Sequence, residues 1–279
     1  MKRRLISQRD SFTLTLPKDW VASQNLKAGD EINLERSEEA LVISASETEG
    51  KKEYNLDVTN LLDSCIRNTL NGLYILSATK ITIDSEKPSK LLLCKKLTTL
   101  FLVGFEVTEE KKNQIVLEAL AIPSANNFDK FFLKLFNFLE FDFETLKEDK
   151  KFDQLEEIRR DTKKVTQYSN ICNRILLNTL MNNPEKAVLL EMISYMREIN
   201  HLIFHIFENK IKVTKQEAEI IREMFLGIRK GYFKKDLSKL DTVQKEFSKY
   251  SKDLEKTPHI FAISRNLYGF SNSVLKLIF

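Results

Sequence analysis

The stretch SFTLTLPKDWVASQNLKAGDEINLE, residues 11–35, decides the predicted fold of the N-terminal region. Polar and apolar side chains alternate over residues 11–16, which is typical of a half-buried strand. Pro17 ends this strand and favours a helical turn over residues 18–23, because its fixed φ suits the start of a helix. The first half of the stretch therefore predicts a strand that is followed at once by a short helix.

The second half of the stretch predicts a turn and a returning strand. Residues 27–30, KAGD, form a turn in which glycine can adopt a positive φ without steric cost. Residues 31–35 alternate again, and residues 41–44 have the composition of a further short strand. Residues 1–46 are therefore expected to form a small strand-rich domain.

This order of strand, helical turn, Gly-Asp turn and strand resembles the AbrB/SpoVT swapped-hairpin DNA-binding family. Residues 16–20, LPKDW, and 26–31, LKAGDE, carry the likeness. Two copies interlace into one barrel in that family, so the resemblance implies a homodimer that binds DNA. A piece of about forty residues also buries too little surface to be stable alone. The alternative is a capping hairpin that packs on the following domain.

Basic residues cluster at the start of the chain, where we expect the DNA contacts. The first nine residues contain no acidic side chain. The candidate phosphate contacts are Lys2, Arg3, Arg4, Arg9 and, in a supporting role, Lys18. The whole chain has 44 basic and 40 acidic residues, a net charge of +4, so nucleic-acid binding depends on local clustering. The alternative for residues 2–9 is a frayed basic tail.

Cysteine usage and hydropathy predict a cytoplasmic protein. Cys65, Cys94 and Cys172 lie far apart among apolar neighbours, which favours buried thiols in a reducing compartment over disulfides or a metal site. The first residues lack the apolar segment of a signal peptide, and no apolar run is long enough to span a membrane. We therefore expect no membrane-embedded segment.

Residues 54–122 predict a small α+β module after a polar linker. Apolar spacing alternates there between helical and strand periods. The expected elements are a helix over 58–70 that breaks at 71–72, a strand over 74–83, a helix over 90–102, and strands over 105–108 and 114–119.

Residues 128–279 are predicted to be helical throughout, with six helices. The apolar spacing is i, i+3, i+4, beginning with a phenylalanine-rich helix near 128–146. Pro184 marks the first turn of the third helix, and Thr214 with Glu217 forms a capping box before the fourth. Short connections favour an antiparallel bundle or two three-helix repeats placed end to end.

The expected fold class is a multidomain α+β protein, with a swapped-hairpin domain, an α+β module and an all-α six-helix bundle. This layout resembles archaeal PhoU-type phosphate uptake regulators, and residues 71–74, 103–107 and 113–117 of the module fit the same pattern. The resemblance implies a regulator of phosphate transport or of phosphate-responsive gene expression. Its implied partner is a phosphate transporter ATPase or another regulator.

The PhoU resemblance also implies metal clusters held by carboxylates one helical turn apart, and this chain keeps only fragments of them. Glu157 and Asp161 have the required spacing on the second helix of the bundle. Glu198, on the third helix, is at a position where it could ligate a metal ion. Tyr268 and Asn272 replace the expected acids on the sixth helix. Neutral side chains are poor substitutes for carboxylates at such a site.

Positive charge near the surviving carboxylates also opposes a cation. Lys163, Lys164 and Arg197 are close to them in the predicted helices. His201 and His205 have the i, i+4 spacing that can hold zinc, but the helical wheel places both on a solvated face. We therefore expect no bound metal and no other cofactor.

No catalytic motif stands out, so the sequence predicts a regulator and not an enzyme. The leading function is a DNA-binding regulator of phosphate uptake or of phosphate-responsive transcription. The alternative is a PhoU-like interaction module that acts on a phosphate transporter, with an N-terminal domain that serves only dimerisation. A bundle that stores metal is a third, weaker hypothesis.

Overall fold

The structure, a computed structural model, describes residues 3–36, 41–45, 52–148, 151–178 and 183–278. The chain divides into two units, Met1–Lys51 and Lys52–Phe279, which we call the head and the body. The described helices include none that is long and apolar enough to cross a membrane.

The described residues of the head form two antiparallel strand pairs and one short helix. Strand β1 pairs with β2, and β3 pairs with β4. The head elements are β1 (Leu5–Gln8), β2 (Ser11–Leu14), α1 (Lys18–Ser23), β3 (Asn33–Arg36) and β4 (Leu41–Ser44). The predicted strands and the helix after Pro17 are confirmed. Strand β1 was not predicted, because its four residues give too short a pattern to separate from a basic tail.

The turn over residues 27–30 has the predicted geometry. Gly29 adopts a φ of +100°, a conformation that L side chains rarely adopt. The backbone N–H of Asp30 donates to the Lys27 carbonyl over 3.1 Å. In return, the Asp30 carboxylate accepts from the Lys27 N–H over 2.7 Å, so the turn is closed from both ends.

The first part of the body is a four-stranded sheet with two helices. The strand order is β5-β6-β8-β7, in which β5 and β6 are parallel and the other neighbours are antiparallel. The elements are β5 (Glu53–Asp57), α2 (Asp63–Ile75), β6 (Lys80–Asp84), α3 (Pro88–Phe101), β7 (Phe105–Lys111) and β8 (Gln114–Ala119). Helix α2 crosses over between the two parallel strands, as parallel pairing requires.

Two predictions for this module were wrong. The helix does not break at residues 71–72, since α2 continues to Ile75, and β6 begins only at Lys80. The Tyr74 side chain is fully buried, and its hydroxyl donates to the Val103 carbonyl over 3.1 Å. Burial of an aromatic ring outweighs the cost of about 1 kcal/mol for a glycine inside a helix. Strand β5 was missed because its residues were assigned to a linker and to the start of the module.

In the described residues, the second part of the body shows the predicted run of six helices. The bounds are α4 (Phe128–Leu146), α5 (Leu155–Asn178), α6 (Asn183–Glu208), α7 (Lys215–Lys234), α8 (Leu237–Leu254) and α9 (Pro258–Leu275). The capping box is confirmed: Glu217 N–H donates to the Thr214 hydroxyl over 3.2 Å, and Thr214 N–H donates to the Glu217 carboxylate over 2.8 Å. One apolar core, rich in phenylalanine, joins the six helices.

Helix α5 also joins the bundle to the sheet module by packing on α2 and α3. The buried Arg174 guanidinium donates to the carbonyls of Tyr74 and Ala78, over 2.6 and 3.1 Å. These carbonyls lie at and just beyond the end of α2, where a cation is favoured by the helix dipole. The α+β fold class, with a hairpin head, a mixed middle and a multi-helix region, is thus confirmed.

Candidate nucleic-acid interface

The four described cations that were predicted to contact DNA are all on the surface of the head. Arg3, Arg4, Arg9 and Lys18 are exposed, and none of them forms a hydrogen bond or ion pair from its side chain within the described part of the chain. Lys2 lies outside the described residues. The four side chains are therefore available for phosphate oxygens.

The β1–β2 hairpin separates these cations along its length. Arg3 and Arg4 precede β1 at the open end, where Leu5 pairs with Leu14. Arg9 lies at the other end, in the turn, with a φ of 48°. A strand of this length holds the two ends about 13 Å apart. A single hairpin therefore presents two small basic sites instead of one continuous stripe.

Apolar side chains of the head are also exposed. Phe12 is 71% exposed, Leu5 66% and Leu34 59%, and no head residue with a described side chain is buried. A unit of this size cannot close a core from its own strands. Exposed apolar side chains in this quantity mark a surface that another protein surface covers.

The carboxylates of the predicted partial metal site do not converge with other ligands. Glu157 is exposed and Asp161 half-buried on α5, where burial and the neighbouring Glu157 raise the pKa of Asp161. Glu198 lies on α6 in the wall of a pocket that also contains Lys163 and Arg197. In the described ranges, no group of three or more His, Cys, Asp or Glu residues could hold a metal ion. The expected absence of metal stays a prediction.

The remaining candidate ligands have other contacts. His201 and His205 are both exposed, with ring centroids 5.6 Å apart in an edge-on arrangement. The Tyr268 ring packs on Phe247 with centroids 4.6 Å apart. The Asn272 side chain accepts a hydrogen bond of 3.0 Å from Gln244. The sixth bundle helix therefore uses its two positions for packing and for an amide hydrogen bond.

The cysteines differ from one another in burial. Cys94 and Cys172 are buried as expected, and burial raises the pKa of their thiols to about 11 and about 12. Cys65 is exposed, which corrects the expectation of three buried thiols. It lies on the outer face of α2, beside the exposed Ser64 and one residue before the buried Ile66.

Asp142 is a buried polar residue that the sequence interpretation missed. The Asp142 carboxyl on α4 is fully buried, and Asn200 on α6 donates to it over 2.7 Å. Burial raises the pKa of Asp142 well above its usual value, and the charge of Asp161 adds to this effect. The available signal was a polar residue on the apolar stripe, three residues after Leu139 and four before Leu146.

Comparison with known families gives a match for the head. Residues 8–51 match the family described as "Antidote-toxin recognition MazE, bacterial antitoxin". No curated protein and no solved structure is significantly similar to the chain. The chain therefore has an N-terminal MazE/AbrB-type hairpin domain that is followed by a helical region, and the predicted PhoU resemblance of the body stays a prediction.

Proposed function

We propose that this chain is a dimeric, cytoplasmic DNA-binding regulator and not an enzyme. The observation that carries the proposal is the match of residues 8–51 to the MazE family, together with free cations on the same domain. AbrB-type domains, which the head resembles, bind DNA as interlaced dimers. In this chain the head would contact DNA, and the body would relay a regulatory state.

Dimerisation supports DNA binding in two ways. A second copy would cover Phe12, Leu5 and Leu34, which are exposed in one copy. It would also double the basic sites at the two ends of the β1–β2 hairpin. Several phosphate contacts in one surface are needed for useful affinity, because each contact contributes mainly through the release of one counterion.

The finer role that we propose is regulation of phosphate uptake or of phosphate-responsive transcription. It is supported by the resemblance of the body to PhoU-type regulators, in which a small α+β module precedes six helices. In the described residues β5 to β8, with α2 and α3, precede α4 to α9. Crosslinking of the protein to genomic DNA, with and without phosphate in the medium, tests this role. If the occupancy of DNA sites by the protein is the same with and without phosphate, the proposed phosphate role is contradicted.

The second candidate function is an interaction module that acts on a phosphate transporter ATPase, with a head that serves only dimerisation. One observation favours it: the cations lie at opposite ends of the β1–β2 hairpin, not in one cluster. The two functions differ in salt dependence, since only a head that binds phosphates gives DNA retention that falls steeply with salt.

The deciding experiment replaces Arg3, Arg4 and Arg9 by alanine in the full chain and measures duplex DNA binding by fluorescence anisotropy. We expect weaker binding and a flatter plot of log affinity against log salt concentration. The magnitude of the slope should fall by about 0.9 for each DNA phosphate that the variant no longer neutralises. Thermal stability should change little, because these side chains are exposed.

The matched control replaces three exposed cations of the body, Lys130, Lys239 and Lys252, by alanine, and therefore changes the net charge equally. This control should keep the salt slope of the parent chain. Equal affinity of the parent and the arginine variant at every salt concentration would show that the DNA surface has been misassigned.

A further inference from the structure

A pocket of 470 Å³ lies in the body, where the sheet module meets the bundle. Helices α2, α3, α5 and α6 form its walls. Three cations on three different helices share this wall: Arg67, Lys163 and Arg197. The volume falls in the range of pockets that hold small organic ligands.

The three cations are unpaired within the described part of the protein. Arg67, Lys163 and Arg197 form no hydrogen bond and no ion pair from their side chains with any described residue. One carboxylate, that of Glu198, lines the same pocket but forms no ion pair with them. Three cations against one carboxylate leave the pocket with an excess of positive charge.

Arg197 is the most informative of the three. Its side chain is only partly exposed, and burial lowers the pKa of its guanidinium. Removing a charged group from water without a partner is costly. A planar guanidinium in such a place is suited to a carboxylate or phosphate, which it can bind through two parallel hydrogen bonds.

Neutral hydrogen-bonding groups complete the wall. The Asn173 side-chain oxygen is buried and has no hydrogen-bond partner in the described part of the chain. The Asn71 oxygen accepts from Asn170 over 3.2 Å, which leaves the Asn71 amide N–H groups for another acceptor. Buried polar atoms are almost always paired, so the unpaired Asn173 oxygen beside the pocket points to an occupant that can donate a hydrogen bond.

We propose that this pocket binds a small metabolite with an oxyanion group, a phosphate ester or a polycarboxylate. Arg197 binds the oxyanion with help from Arg67 and Lys163, and the asparagines bind the rest of the molecule. The volume exceeds the need of a bare inorganic anion, and Phe101 in the wall can contact an apolar or planar part of a larger molecule. The site lies within the body and does not depend on DNA binding by the head.

The test is titration calorimetry and thermal melting of the full chain without DNA. The probes are adenosine monophosphate, citrate and inorganic phosphate, with neutral adenosine as the comparison. We expect adenosine monophosphate or citrate to bind and to raise the melting temperature, and adenosine to do neither. Binding of inorganic phosphate as tight as that of the organic probes would overturn the assignment to a metabolite and give the site to the free anion.

The variant Arg197→Gln should weaken binding by about tenfold or more, because it removes a charge-assisted hydrogen bond. Arg265→Gln on α9, an exposed position outside the pocket, is the matched control and should bind as the parent does. If Arg197→Gln does not fold, the binding measurement is repeated with Arg67→Gln, because Arg67 is exposed and its replacement should not disturb folding. Failure of all three anionic probes, or equal affinity of the parent and the folded pocket variants, would overturn the proposal.

Discussion

The head and the body place their apolar side chains in opposite environments. Phe12 of the head is 71% exposed, whereas Phe136 and Phe225 of the body are fully buried. The difference follows from size, since a unit of roughly fifty residues buries too small a share of its surface to be stable alone. We therefore expect the body to fold as one chain and the head to depend on a second protein surface.

The lengths of the elements explain this difference. Each head strand has four residues, so only about two side chains of each can face inward. Helix α6 has 26 residues, and its apolar stripe packs along α5 and α9. Long helices can bury a continuous stripe within one chain, whereas short strands need partners to complete a layer.

The largest expected effect comes from truncating matched phenylalanines in the two units. Phe136→Ala should lower the free energy of unfolding of the body by about 3–5 kcal/mol, because it removes a buried ring that contacts the rings of Phe225 and Phe270. Phe12→Ala should leave the body transition unchanged. Denaturant unfolding followed by circular dichroism measures both. Equal destabilisation of the body by the two variants would contradict the difference in burial between the body and the head.

The next effect is on association. A shortened chain that begins at Lys52 lacks the head and should dimerise at least about tenfold more weakly, a difference of roughly 1.4 kcal/mol or more. Sedimentation equilibrium of the full and shortened chains gives the two dissociation constants. The control is Leu237→Ala in the full chain, which removes an exposed apolar side chain from the body and should not weaken the dimer. Equal dimerisation with and without the head would refute the swapped-hairpin proposal.

The same contrast explains which parts of the fold were predictable from the sequence. The six bundle helices were predicted because their stripes are long and their start signals are local, as for Thr214 and Glu217. The course of α2 through Gly72 was not predictable, because the burial of Tyr74 and its hydrogen bond to Val103 involve a residue 29 positions away in the sequence. Strand β5 depends in the same way on its parallel pairing with β6.

The candidate sites also differ in whether local sequence or distant packing defines them. The exposed arginines of the head were found from local charge, because they are close together in the sequence. The pocket of the body was missed as a site, although Lys163 and Arg197 had been noted as opposing a cation. Its third cation, Arg67, lies about a hundred residues before Lys163, and only the packing of α2 on α5 brings them to one wall. No local pattern marks such a site.

The last prediction compares a buried carboxyl group of the body, that of Asp142, with an exposed carboxyl group of the head. Burial, together with the charge of Asp161, raises the pKa of Asp142, while a hydrogen bond from Asn200 opposes this shift. The folded state therefore holds this proton to a higher pH than the unfolded state does. The resulting stability is fully present below the unfolded pKa of about 3.9, and it is lost as the pH rises through the folded pKa.

Asp142→Asn keeps the shape of the side chain and removes its titration. Asn200 still finds an oxygen acceptor, so we expect a change of only about 1 kcal/mol in acid. As the pH rises towards neutral, the variant should gain on the parent by about 1.4 kcal/mol for each unit by which the folded pKa of Asp142 exceeds its unfolded pKa. Denaturant unfolding across this pH range measures the gain. Asp10→Asn, at an exposed position of the head, is the control and should leave the unfolding transition of the body unchanged. Parallel curves for Asp142→Asn and the parent would mean that the buried carboxyl titrates alike in the folded and unfolded chains.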